Sequence, residues 1–199
     1  FLLQHTRVVP RKKIEVAIDF AFELEKKYAA DGSKKCIAII VSGHSGDEME
    51  EYKKSLLQYY EARSDVDPDS NVVIVFGENR ILSHRDIIVD KKYYKFAEVP
   101  SLIASKGGLG TYFSEVEGFG NNLLEMISLG LPVLINRYDV FKTDIEQYGF
   151  ELPYIDEVIL TPQLVDKGYK LLTDIKYRNQ VVKHNLEVLR NKLDHKIIA

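Results

Sequence analysis

The sequence predicts an α/β fold, a Rossmann-like parallel sheet with helices on both faces. Three observations carry this. Short apolar runs alternate with segments of helical periodicity at least four times along the chain, the pattern of βα units whose sheet is covered on both sides. The run Cys36-Ile-Ala-Ile-Ile-Val41 contains no charged or amide residue, as expected of a strand buried on both faces. Thr111-Tyr-Phe113 leads through a glycine-containing turn into a mostly apolar helical segment ending at Gly130, which reads as a strand, a turn and a helix.

Taken in order, the first strand is expected over about Phe1 to Thr6, followed by a polar, basic junction with Arg7, Pro10, Arg11, Lys12 and Lys13. Ile14, Ala17, Ile18, Ala21 and Leu24 then recur at helical spacing until Ala30-Asp-Gly-Ser33. The second strand is Cys36 to Val41, and Cys36 is assigned to the core. A loop at 42–47 precedes a helix with Met49, Tyr52, Leu56 and Tyr59 on one stripe. Turn chemistry at Asp65 to Asn71 leads to a third strand, Val72 to Phe76, closed by Gly77. Residues 78–98 are polar and carry no clear period. A short helix at Pro100 to Ser105, a strand at 110–113 and the 114–130 unit follow, then a strand at Pro132 to Asn136. Helices are expected near 140–148 and 162–175, with a short strand at Val158 to Leu160 between them, and a final helix at about 177–193.

The 199 residues suit one large domain, and no repeat, low-complexity tract or linker divides them. We therefore read residues 1–199 as a single domain. The net charge of −3 argues against general nucleic-acid binding, which needs a basic surface. No apolar run is long enough to span a bilayer and no signal peptide is visible. With Cys36 alone, a reducing, cytoplasmic setting is expected.

In an open parallel sheet, ligands bind outside the carboxyl ends of the strands. The loops at 7–13, 42–47, 77–80 and 114–120 all leave such ends and should converge on one crevice. At 114–125 the chain reads Ser-Glu-Val-Glu-Gly-Phe-Gly-Asn-Asn-Leu-Leu-Glu. A helix that begins after Gly118-Phe-Gly120 leaves free amides at the positive end of its dipole, a site suited to phosphate. Glu117 and Glu125 bracket it. A carboxylate repels phosphate, so these two point to hydroxyls, as on a sugar or ribose. Glu125 has another reading, as the far half of a capping box with Asn122. Arg7 and Lys12 are either a solvated basic turn or two cations aimed at the same crevice, a planar fork and a point charge for phosphate oxygens. Asp67-Pro-Asp69 spells the D-x-D of metal-using sugar transferases, but sits in a helix-to-strand loop at the opposite edge, where turn formation explains it. His5, His44, His84, His184 and His195 show no metal-ligand spacing. No nucleophile elbow or Walker A motif is present. A dinucleotide-binding dehydrogenase is disfavoured, since the junction after its first strand should be glycine-rich.

The chain resembles the C-terminal, nucleotide-sugar-binding domain of GT-B fold, family-four (group 1) retaining glycosyltransferases. Glu117-Gly-Phe-Gly-Asn-Asn-Leu-Leu-Glu125 matches that family's E-x7-E signature, Arg7-Val-Val-Pro-Arg-Lys12 its R-x-x-P-x-K segment, and Pro132-Val-Leu-Ile its G-x-P-V strand. The resemblance implies that Arg7 and Lys12 hold the donor diphosphate as it leaves and that Glu117 contacts the transferred hexose. It implies too that Glu125 takes the ribose and that Gly118, Phe119, Gly120 and Asn121 meet phosphate or sugar through their backbone. Gly43 and the region after Gly77 would border the donor. Lys106-Gly-Gly108 departs from the family's Ala-Asp, and residues 78–95, near which the base is read, find no match. The resemblance implies a UDP- or GDP-linked hexose as donor, with no metal and no cofactor expected. The acceptor and any membrane contact would belong to an N-terminal domain absent from this chain, and the chain alone is expected to be inactive. The rival is a non-catalytic nucleotide-sugar-binding or regulatory module of the same fold.

Overall fold

Strand β1 (Leu2–Gln4) lies at the centre of a six-stranded, all-parallel sheet. The computed structural model describes residues 1–43, 50–82 and 93–193. On one side β1 pairs with β2 (Ile37–Val41), which pairs with β3 (Val72–Phe76). A separate two-stranded pair, β4 (Ile81–Leu82) and β5 (Tyr94–Lys95), follows in the chain. On its other side β1 pairs with β6 (Leu109–Tyr112), in register Leu2 to Leu109, then come β7 (Val133–Asn136) and β8 (Tyr154–Ile155). The order β3-β2-β1-β6-β7-β8 reverses direction between β1 and β6, the switch point at which the two flanking loops splay apart and leave a crevice.

Side-chain alternation sends the central strands β1, β6 and β7 into two cores. Leu2, Leu109 and Leu134 join one cluster with α1 (Ile14–Ala30) and α5 (Pro162–Thr173); Leu3, Val133 and Ile135 join the other, with α3 (Val99–Ser105) and α4 (Asn121–Ser128). Helix α6 (Ile175–Lys192) is shared, with Val181 in the first cluster and Leu189 in the second. Helix α2 (Glu50–Val66) contributes Leu56. Strands β1, β6 and β7 are buried throughout, while edge strand β3 leaves Val73 and Val75 exposed. The parallel α/β sheet covered on both faces is therefore present as expected, and the last helix begins two residues earlier than its periodicity indicated.

Three expectations need correction. Cys36 is exposed. It precedes β2 at the amino edge of the sheet, so the apolar run is one residue longer than the strand. Val158 to Leu160 is not a strand. Glu157 and Val158 both have left-handed φ, 54° and 61°, which no strand accommodates. The Val158 amide donates instead to Asn136 Oδ1 at 3.0 Å, and the edge strand is Tyr154–Ile155. Tyr59 is exposed rather than part of a buried stripe, and its hydroxyl donates to the Asp19 carboxylate. Met49 and His44 lie outside the described residues.

Candidate functional site

The chain leaves β1 through three fully buried polar residues, Gln4, His5 and Thr6. Arg7 then emerges into solvent, its side chain without a hydrogen-bond or ion-pair partner among the described residues. Pro10–Lys12 forms one 3-10 turn with Pro at its start, where a fixed φ and a missing N–H cost nothing. Lys13 ends the turn in the left-handed region, φ 48°, and pairs with Glu115 at 2.8 Å. The turn aims Lys12 inward. Its side chain is 6% exposed and Nζ stands 5.2 Å over the Tyr112 ring.

The chain leaves β6 on the facing side. The Glu115 amide donates to the Arg11 carbonyl at 2.9 Å, and Arg11 Nη1 donates to the Val116 carbonyl at 2.7 Å and to Glu117 Oε2 at 3.0 Å. Lys12 Nζ donates to the other oxygen, Glu117 Oε1. Glu117, 7% exposed, is thus held between two cations. Burial raises its pKa, but the Lys12 hydrogen bond and charge, with Arg11, outweigh that and hold the carboxyl below its ordinary 4.5. Burial lowers the Lys12 pKa, and the neighbouring Arg11 and Arg7 act in the same direction against the pull of Glu117. Burial, followed by the Glu117 charge, pushes the Tyr112 and Tyr138 hydroxyls up, so both stay neutral.

These shifts fix a pH dependence. A carboxyl whose folded pKa lies below its unfolded value contributes stability above that unfolded value and loses it as pH falls through the folded one. Melting temperature should therefore drop below about pH 4.5. The Glu117→Gln variant, less stable at neutral pH because Lys12 loses its partner, should show a shallower acid limb. Parallel acid limbs for the two proteins would show that Glu117 does not carry this term.

Helix α4 starts with Gly120 as its N-cap, φ +88°, and no side chain caps it. A Cβ at Gly120 would stand 2.2 Å from the Tyr138 hydroxyl, which itself donates to the Phe119 carbonyl at 3.3 Å. Glycine is therefore required at 120 by conformation and by contact. Gly118 meets no such requirement: φ is not left-handed and nothing lies within 4 Å of a Cβ there. A cleft of about 290 Å³ opens between the two loops, lined by Thr6, Arg7, Arg11, Lys12, Tyr112 and residues 117–122. Three cationic side chains face one carboxylate across it, with the amino end of α4 at the same wall.

Of the residues singled out from the sequence, Arg7, Lys12, Glu117, Gly118, Phe119, Gly120 and Asn121 line this cleft together. Glu125 and Gly43 are not in its lining. Glu125 sits one turn along α4, 30% exposed, with Oε2 3.4 Å from His5 Nε2. The capping alternative for Glu125 fails, because Asn122 lies inside the helix and donates from Nδ2 to the His5 carbonyl at 2.9 Å. Gly43 instead packs against the backbone of Thr6, a lining residue: a Cβ there would stand 2.1 Å from the Thr6 carbonyl oxygen. Glu78 pairs with Lys53 and is not in the cleft lining. Asp67–Asp69 follows α2 at the amino edge of β3, the far end of the sheet. Among the described residues no cluster could hold a metal ion and no helix is long and apolar enough to cross a membrane.

Sequence reasoning missed Arg11 and His5. Arg11 sits between two matched positions and looked like one more charge in a basic turn; its role depends on a loop 106 residues away. The sequence shows His5 only as one of five histidines without metal-ligand spacing. A polar residue closing an apolar run just before a basic junction was the available signal.

No family model matches the chain. It is 30% identical over 206 residues to the mannosylglucosylglycerate synthase of Thermotoga maritima, covering 94% of this chain and 44% of that protein. The chain thus spans less than half the length of this curated relative. Among solved structures, it superposes on Staphylococcus aureus TarM with a TM-score of 0.66 at 17% identity, over 99% of this chain and 33% of that one. It superposes on the C-terminal domain of a glycosyl transferase group 1 family protein, LpcC, from Francisella tularensis with a TM-score of 0.63 at 19% identity, over 96% and 84% of the two chains. The strand order and these likenesses agree: the chain is related in sequence to glycosyltransferases and has the Rossmann-like α/β fold seen in the C-terminal domain of a group 1 family member.

Proposed function

We propose that the cleft binds the diphosphate and sugar of a UDP- or GDP-linked hexose, and that the protein carrying this chain transfers the hexose to an acceptor with retention at the anomeric carbon. The observation that carries this reading is the three-cation cluster, Arg7, Arg11 and Lys12, set against Glu117 alone at the uncapped end of α4. The S. aureus TarM structure is a complex that includes UDP, which supports a nucleoside diphosphate as the ligand class. Breaking the bond to the anomeric carbon puts negative charge on the diphosphate, and preorganised cations and helix amides at that point lower the barrier. Lys12 and Arg7 supply the charge, and the amides beside Gly118 to Asn121 supply donors. Glu117, already held by Lys12 and Arg11, is fixed where it can accept from sugar hydroxyls. Glu125 accepts from the ribose. The acceptor, and any contact with a membrane, falls to an N-terminal domain, and the setting is cytoplasmic.

Isothermal titration of the full-length protein with UDP, GDP and their nucleosides tests this. One diphosphate should bind at least tenfold more tightly than its nucleoside, an increment of about 1.4 kcal/mol. EDTA should leave that difference in place, since the cations can neutralise the diphosphate unaided. Equal affinity for nucleoside and diphosphate would sink the donor site; loss of binding in EDTA would sink the metal-free reading.

A further inference from the structure

We propose that His5 is a positioning residue for Glu125, and through it for recognition of a vicinal diol such as that of ribose. The inference rests on the reading that Glu125 meets the ribose. His5 is fully buried. Its ring stacks on Phe96, centroids 3.9 Å apart and planes within 18°. Its Nδ1 lies 2.9 Å from Ser42 Oγ, and its backbone carbonyl accepts from Asn122 Nδ2, one turn before Glu125 on α4. His5 is thus held by its ring face, by one ring nitrogen and by its backbone. Its remaining polar atom, Nε2, is buried without a hydrogen-bond partner and stands 3.4 Å from Glu125 Oε2.

That geometry assigns the proton. A carboxylate only accepts, so the nitrogen facing it carries the hydrogen. Nδ1 is then the acceptor, and Ser42 donates to it, at 2.9 Å against 3.5 Å to the alternative acceptor, the Gln4 carbonyl. The chain Ser42 to His5 to Glu125 has the logic by which a buried partner fixes the orientation of a ligand-binding group. One Glu125 oxygen is directed at Nε2–H and the other stays free for a hydroxyl. A small rotation of the partly exposed carboxylate, on engaging a diol, brings the 3.4 Å separation into hydrogen-bond range and satisfies Nε2. The competing view is that His5 merely packs under Phe96. It predicts equal effects on every ligand.

The test compares UDP with 2′,3′-dideoxy-UDP by titration calorimetry on the full-length protein, or the guanine pair if the protein takes guanine. His5→Phe keeps a ring against Phe96 and removes both nitrogens. It should reduce the preference for the ribo ligand roughly three- to tenfold and leave affinity for the dideoxy ligand unchanged. It should add nothing in a Glu125→Ala background, and His5→Gln, which retains an N–H, should restore part of the preference. An unchanged preference in His5→Phe, or equal losses for both ligands, overturns the proposal. If Glu125→Ala itself leaves the preference intact, the ribose assignment of Glu125 has failed; if Glu125→Ala abolishes it and His5→Phe does not, only the role of His5 has. Should His5→Phe not fold, imidazole nitrogen NMR of the unsubstituted protein decides. A proton on Nε2 supports the proposal and a neutral ring protonated on Nδ1 overturns it.

Discussion

Lys12→Ala is expected to lower sugar-transfer turnover of the full-length enzyme on the order of 100-fold or more, the scale seen when one preorganised group facing developing negative charge is removed. The same change should cost about 3 kcal/mol of stability, the lower end for breaking a buried ion pair, because Arg11 still holds Glu117 at 3.0 Å. Arg7→Ala separates the two effects. The Arg7 side chain is exposed and has no hydrogen-bond or ion-pair partner among the described residues, so its removal should change stability by no more than about 0.5 kcal/mol while weakening binding of the nucleoside diphosphate. Added salt should weaken that binding too, through screening over roughly 8–10 Å, and should scarcely affect the bare nucleoside. Lys13→Ala is the comparison, since Lys13 pairs with exposed Glu115 rather than facing the cleft. Steady-state kinetics, calorimetry and melting curves on the three variants read all of this. If Lys12→Ala and Arg7→Ala behave as Lys13→Ala does, the cations serve only the surface.

The second large effect concerns the two glycines of the turn, which look alike in sequence and differ in the structure. Gly120→Ala forces an L residue to φ +88° and drives a methyl group into the Tyr138 hydroxyl, 2.2 Å away. The strain and the displacement together should cost about 2–4 kcal/mol and shift the start of α4. Gly118→Ala has open space for its methyl group and should leave the melting temperature within the range of a neutral surface change, about 0.5 kcal/mol. If the ligand lies against the backbone there, that variant should nonetheless lose roughly tenfold in diphosphate affinity. Chemical denaturation paired with titration separates stability from binding at each position. A Gly118→Ala protein with unaltered affinity would place the ligand away from this turn.

The sheet was legible in the sequence because its determinants are local: an apolar run of four or five residues reads as a strand wherever it falls. What failed was set by distant partners. The last strand was misplaced because Val158 gives its amide to the side chain of Asn136, 22 residues earlier, and no periodicity reports that. Cys36 looked like core because the apolar run continues past the point where β2 stops. Within the site, the glycines and paired charges announced themselves by spacing. That Glu117 is held by Lys12 and Arg11 depends on pairing between β1 and β6, which apolar pattern alone does not specify. His5 was illegible for a related reason: only the fold shows which neighbours surround a buried polar residue.

The central position of β1 has a consequence for how the molecule assembles. Its partner on one side is β2, close in sequence, but on the other it is β6, in register Leu2 to Leu109. Strands β1 to β3 with α1 and α2 can form as the chain emerges from the ribosome, through contacts of modest sequence separation. The second edge of β1 then stays open until more than a hundred residues have been made. Closing such a long loop is slow, and an unpaired strand edge is exposed to wrong partners meanwhile. Lys12 likewise waits for Glu117, 105 positions later. A ligand of this cleft can therefore favour only the final docking of the two halves, because mass action stabilises only species that already possess the site. A chain cut between β5 and β6 would keep its cations and have no cleft for them to line.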